Sequence, residues 1–127
     1  MKLRFQFNSI RLRLKRSEVE QLAKTGRVEE KIIMGSGIVD TFHYALQSSH
    51  AVSTPHAILE QKGILVLVPF ETVSRWAAGN DVGIEAILPL GDRGRLQVLI
   101  EKDLACLNGT EEQNADTFPN PLGGTKC

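Results

Sequence analysis

Little in this sequence suits export, a membrane or a disulfide framework. It holds two cysteines, Cys106 and Cys127, where small secreted domains usually carry denser bridges. No apolar run approaches the roughly 20 residues that a membrane-spanning helix needs. The opening stretch, MKLRFQFNSIRLRLKR, alternates apolar and basic residues and lacks the continuous apolar core of a signal peptide. These absences predict a cytoplasmic protein. An excess of one charge is also missing, because fifteen basic residues balance fifteen acidic ones. No net field then recruits nucleic acid or an anionic membrane, so any such affinity has to come from a local patch.

What is present is enough apolar sequence for one core. A chain of 127 residues with 42% hydrophobic content fits a single domain and is too short for two ordinary ones. A shift of 54 positions aligns its two halves. Ile10 falls on Ile64, Val19 on Val73, Ala23 on Ala77, Val28 on Val82 and Ile33 on Ile87. Leu12 and Leu14 fall on Val66 and Val68, and Leu22 falls on Trp76.

The periodicities repeat along with the residues. Segments 10–14 and 64–68 place apolar residues at alternate positions, as half-buried strands do. A short helix is predicted after each. Ser17-Glu18-Val19-Glu20 fits a capping box and Gly26 a stop, while Pro69 suits a first turn and Gly79 its end. Val19, Leu22 and Ala23 share one helical face, as do Val73, Trp76 and Ala77. Two strands follow each helix, at about 27–34 and 39–47, then at 82–89 and 95–102, with glycine-rich turns between them. Segments 2–7 and 56–61 add two more strands.

The expected fold is therefore α+β. A mostly antiparallel curved sheet or small barrel comes from a duplicated β-α-β-β(-β) unit, with two short helices packed outside. The domain spans 1–107, with repeats at about 2–47 and 56–102 and a linker at 48–55. Residues 108–127, rich in proline and glycine, are expected to form a poorly ordered tail.

Strand alternation also sorts the charges. With Ile10, Leu12 and Leu14 turned inward, Arg11, Arg13 and Lys15 share the opposite face. Three readings stay open for them: a solvated sheet face, an anion site, or structural pairing with Glu85 and Glu101 inside a closed sheet. Cations two residues apart on one face suit the oxygens of a di- or triphosphate, and guanidinium groups bind such oxygens bidentately. Lys31 is a further candidate ligand, and Glu60 a further acidic one. His43, His50 and His56 lack a metal-ligand spacing. Cys106 and Cys127 beside Asp103 or Asp116 are more simply free thiols.

Two resemblances add to this. Asn8-Ser9-Ile10-Arg11-Leu12-Arg13-Leu14, Ser17-Glu18-Val19-Glu20, Val82-Gly83, Glu101-Lys102-Asp103-Leu104 with Cys106-Leu107, and Phe118-Pro119-Asn120-Pro121 resemble a family of short bacterial proteins without assigned biochemistry. The topology over roughly 1–107 is similar to the CYTH-like, or triphosphate-tunnel, barrel. That likeness implies eight antiparallel strands around a channel, and triphosphate chemistry with a divalent metal. Those enzymes open on Glu-x-Glu-x-Lys, whereas this strand reads Arg11-x-Arg13-x-Lys15.

Function is thus expected in one of three classes. The first is a non-enzymatic module binding a phosphorylated small molecule through Arg11, Arg13, Lys15 and Lys31, with no cofactor. The second is a divergent phosphohydrolase holding magnesium or manganese on Glu85 and Glu101. The third is a self-association or protein-interaction domain using an exposed edge such as 2–7. No nucleic-acid or membrane partner is expected, and the oligomeric state is open.

Overall fold

Alternation along 10–14 and 64–68 turns six aliphatic side chains to one side, and Ile10, Leu12, Leu14, Ile64, Val66 and Val68 are all buried. The structure, a computed structural model, describes residues 1–105 and 111–120. The first copy comprises β1 (Lys2–Gln6), β2 (Ser9–Leu14), α1 (Arg16–Thr25), β3 (Arg27–Ile33) and β4 (Thr41–Ser49). The second comprises β5 (His56–Glu60), β6 (Gly63–Pro69), α2 (Phe70–Ala78), β7 (Gly83–Pro89) and β8 (Arg95–Lys102). A one-turn helix, α3, follows at Glu111–Asn114. The linker begins later than expected, because β4 runs on to Ser49.

β1, β2, α1 and β4 each start 54 residues before β5, β6, α2 and β8, but β3 starts 56 before β7. The second copy inserts two residues after its helix begins and drops two from the next turn. Val28 therefore answers to Ile84, since Val28 pairs with Leu46 where Ile84 pairs with Ile100. The expected matches of Val28 with Val82 and Ile33 with Ile87 are corrected by that shift.

The strands form two four-stranded sheets, β1-β2-β8-β7 and β3-β4-β6-β5, which do not close into one barrel. Each copy lends a hairpin to both. The outer pairs are antiparallel, but the central pairs β2–β8 and β4–β6 are parallel, so both sheets are mixed. Ile10 faces Val98 in the first sheet and Ile64 faces Tyr44 in the second, the same register under the 54-residue shift. The core lies between the inward faces, and Leu14, Leu46, Val66, Val68 and Ile100 are fully buried. Each such side chain contributes about 1.5–3 kcal/mol.

α1 and α2 touch each other, and each touches strands of both sheets. Val19 and Leu22 of α1 and Val73 and Trp76 of α2 are buried, while Ala23 is exposed at the groove between the helices. Met1 is buried at the foot of α1: its ammonium meets Glu18 and lies 3.2 Å from Glu30 Oε1. Its carbonyl accepts the Tyr44 hydroxyl at 2.7 Å. Burial raises the Tyr44 pKa, and the carboxylates of Glu30 and Glu18 push the same way.

The start of α1 departs from the expected capping box. The helix begins at Arg16, and the Glu18 carboxylate accepts the Lys15 backbone N–H at 2.9 Å. Ser17 turns outward instead, giving its N–H to Asp116 Oδ1 at 2.9 Å and its hydroxyl to Asp116 Oδ2. Asp116 has a left-handed backbone, with φ of 60°. Nearby, Phe118 bridges Leu104 and packs against the core. Cys106 and Cys127 lie outside the described residues, as do Leu107 and 108–110 and 121–126 of the expected tail.

Hydrogen bonds from Ser17 hold the Asp116 carboxyl below its ordinary pKa, with Lys15 and Arg16 adding to the effect. A depressed carboxyl pKa stabilises the fold above the unfolded value, and the contribution is lost as pH falls through the folded one. The urea midpoint should therefore fall on acidification below about pH 4. Asp116→Ala should reduce the stability by about 1 kcal/mol at neutral pH, the usual size of a lost helix cap, and flatten that acid dependence. An unchanged acid limb in the variant would refute the role of Asp116. Among the described residues, no helix is long and apolar enough to cross a membrane.

Candidate functional site

β2 carries Arg11 and Arg13 outward because Leu12 and Leu14 are drawn into the core. Antiparallel pairing with β1 sets Arg4 opposite Arg11 and Lys2 opposite Arg13. Alternation makes all four point to the outer face of the first sheet. Lys2, Leu3, Arg4, Arg11 and Arg13 line a depression of about 330 Å³. On the other flank, parallel pairing places Glu101 opposite Arg13. Glu101 accepts a hydrogen bond from Arg11 Nε, and Arg13 Nη2 lies 3.8 Å from the same carboxylate oxygen. Lys2 Nζ stands 3.6 Å from Asp103. Arg4 makes no ion pair among the described residues.

The face so built holds Lys2, Arg4, Arg11 and Arg13 against Glu101 and Asp103, four cations to two carboxylates. It keeps two positive charges in a chain with none overall. Partly exposed pairs of this kind add at most about 1 kcal/mol of stability. Their larger effect is to orient the guanidinium forks. Structural pairing, one of the three readings of this strand, thus exists at Glu101.

Other expected site residues are dispersed. Lys15 precedes α1 and sits near Asp116, outside the lining of the depression. Lys31 lies on β3 of the second sheet, opposite His43. Glu85 shares the outer face of the first sheet but sits two strands from Arg11, where its carboxylate takes the Gln97 amide at 3.0 Å. Glu60 is exposed on β5 of the second sheet. His43 meets Glu29 at 3.0 Å and lowers that carboxyl's pKa, with help from Arg27. His50 stacks on Phe70 and His56 meets the Thr54 carbonyl. Among the described residues, no three His, Cys, Asp or Glu groups are placed to share a metal ion.

The sequence pattern of one protein family runs through residues 1–122, nearly the whole chain. The chain belongs to DUF7009, a family of unknown function. No curated protein and no solved structure matches it. The DUF7009 match extends past β8 and takes in Phe118, which joins a second polar centre.

That centre is Lys102, which sequence reasoning passed over. At 6% exposure it is the one buried charged side chain among the described residues. Its Nζ donates to the Gly79 carbonyl at 2.9 Å and lies 5.6 and 5.2 Å from the ring centres of Trp76 and Phe118. Burial lowers its pKa, and the charge of Asp81 acts in the opposite sense. The signal was present in the alternation, since Val98, Ile100 and Lys102 share parity and the first two are core residues. Lys2 and Arg4 were likewise legible, once the turn at Phe7-Asn8 is taken to fold β1 back along β2.

Proposed function

We propose that this DUF7009 protein is a non-enzymatic binding module for a phosphorylated small molecule, held on the outer face of the first sheet. Lys2, Arg4, Arg11 and Arg13 are the ligand-binding residues. The observation that carries this reading is their cross-strand pairing around one depression with an excess of two positive charges. Guanidinium forks pre-oriented by Glu101 fit phosphate oxygens, and di- or triphosphates match the spread of cations over two strands. The two residues outside this face, Lys15 and Lys31, have no part in the revised site.

A thermal-shift titration with tripolyphosphate, nucleoside triphosphates and thiamine triphosphate tests it. A ligand at about 100 times its dissociation constant adds roughly 2.7 kcal/mol of stability, or on the order of 5 °C for a domain of this size. The shift is expected without magnesium or manganese. It should vanish on charge reversal at Arg11 and Arg13, and weaken in Arg4→Glu, where no ion pair is broken. Binding that survives both changes would sink the proposal. Metal-dependent phosphate release abolished by Glu85→Gln would favour a hydrolase instead. No shift with any of these ligands would leave a solvated face.

A further inference from the structure

β8 ends inside the molecule, and its last inward position is occupied by a lysine. Val98 and Ile100 precede Lys102 on the buried side, and all three are nearly inaccessible. A buried ammonium is costly unless an anion or several hydrogen bonds compensate it. Here the compensation is partial. The Gly79 carbonyl at the end of α2 accepts one of its three protons, and two aromatic rings flank it. Among the described residues, no carboxylate stands within ion-pair distance of Nζ.

Beside it opens a cavity of about 360 Å³, near the small end of ligand pockets. Lys102 lines it together with Val82, Leu104, Phe118 and Pro119, and with the polar residues Asn80 and Asn120. One wall is thus cationic and the rest is mostly apolar. A simple helix clamp would explain the bond to Gly79, since a cation suits a helix C-terminus. It would not explain a mostly apolar cavity next to an ammonium that, among the described residues, has no ion-pair partner and feels only the longer-range charge of Asp81.

We infer that this cavity is a second binding site, taking a small monocarboxylate whose charge pairs with Lys102 and whose apolar body lies against Val82, Leu104 and Phe118. The site is separate from the basic outer face, because Lys102 has the opposite parity to Glu101 and points through the sheet. Its ligand class differs too: one carboxylate with a hydrocarbon body, where the outer face suits several phosphate oxygens.

Benzoate and hexanoate are the probes, titrated against the full chain by thermal shift. Saturating probe should raise the midpoint by on the order of 5 °C. Lys102→Met, which replaces the ammonium by an apolar group of similar length, should abolish the shift. Arg11→Gln with Arg13→Gln should keep it. The Lys102 ¹³Cε signal gives a second readout on the unaltered protein, since a paired carboxylate favours the ammonium form. Its titration should move to higher pH when benzoate is added. No midpoint shift with either probe, or an equal shift in Lys102→Met, overturns the inference. So does a shift lost only in the arginine variant, which would assign the carboxylate to the outer face. Should Lys102→Met fail to fold, the ¹³Cε titration decides alone, and an unmoved signal overturns it.

Discussion

Replacing Gly63 by alanine is expected to cost at least about 3 kcal/mol, more than most single substitutions. Gly63 opens β6 and is buried opposite His43 in the parallel centre of the second sheet. A Cβ placed there would stand 1.7 Å from the His43 carbonyl oxygen. That neighbour is backbone, so no rotamer change relieves the contact. The strands must separate or slip, although the His43 N–H bonds across to the carbonyl of Lys62, the residue before Gly63, at 2.9 Å. The internal duplication supplies a control. The equivalent position in the first copy is Ser9, opposite Gln97, where a side chain is already accommodated. Ser9→Ala should therefore shift the urea midpoint little. Near-equal midpoints for Gly63→Ala and the wild type would refute the close approach.

Trp76→Ala should destabilise by about 3–5 kcal/mol, as large aromatic truncations in cores do. The ring is 2% exposed, and its Nε1–H donates to the Val82 carbonyl at 3.1 Å. Truncation leaves a cavity between α2 and the first sheet and takes one of two donors from that carbonyl, which keeps the Lys102 backbone N–H at 2.9 Å. It also strips one of the two rings from the buried ammonium of Lys102. Trp76→Phe restores much of the volume but not the donor, so its loss should be clearly smaller. Urea unfolding followed by far-ultraviolet circular dichroism measures both, since the chain has no other tryptophan. Equal losses in the two variants would mean that the hydrogen bond, and not the packed volume, sets the cost.

The outer-face proposal and the Lys102 inference respond differently to these changes. Trp76→Ala alters the surroundings of Lys102 directly, while the depression on the outer face has no residue in common with it. A folded Trp76→Phe variant that kept phosphate binding would show the two sites to be independent.

Local chemistry made much of this protein legible in advance. Alternation gave eight strands, the i, i+3, i+4 stripe gave both helices, and turn residues separated them. The 54-residue repeat followed from the same features and fails only where two residues were inserted before β7. Arg11 and Arg13 were placed on one face because side-chain direction in a strand depends only on parity.

What parity cannot specify is which strands become neighbours. The pairing of β2 with β8 joins residues about 90 positions apart, and the parallel pairing of β4 with β6 crosses between the two copies. Those contacts bring Glu101 to Arg11, send Lys31 to the other sheet and leave Glu85 two strands away. They also divide eight strands into two open sheets where the resemblance to a tunnel barrel implied one closed wall. Sequence by itself determined the elements and their faces, because backbone sterics and burial act over a few residues. The tertiary structure decided the partners, because long-range pairing is selected by packing of the whole core, and it placed the Lys102 ammonium between Trp76 and Phe118.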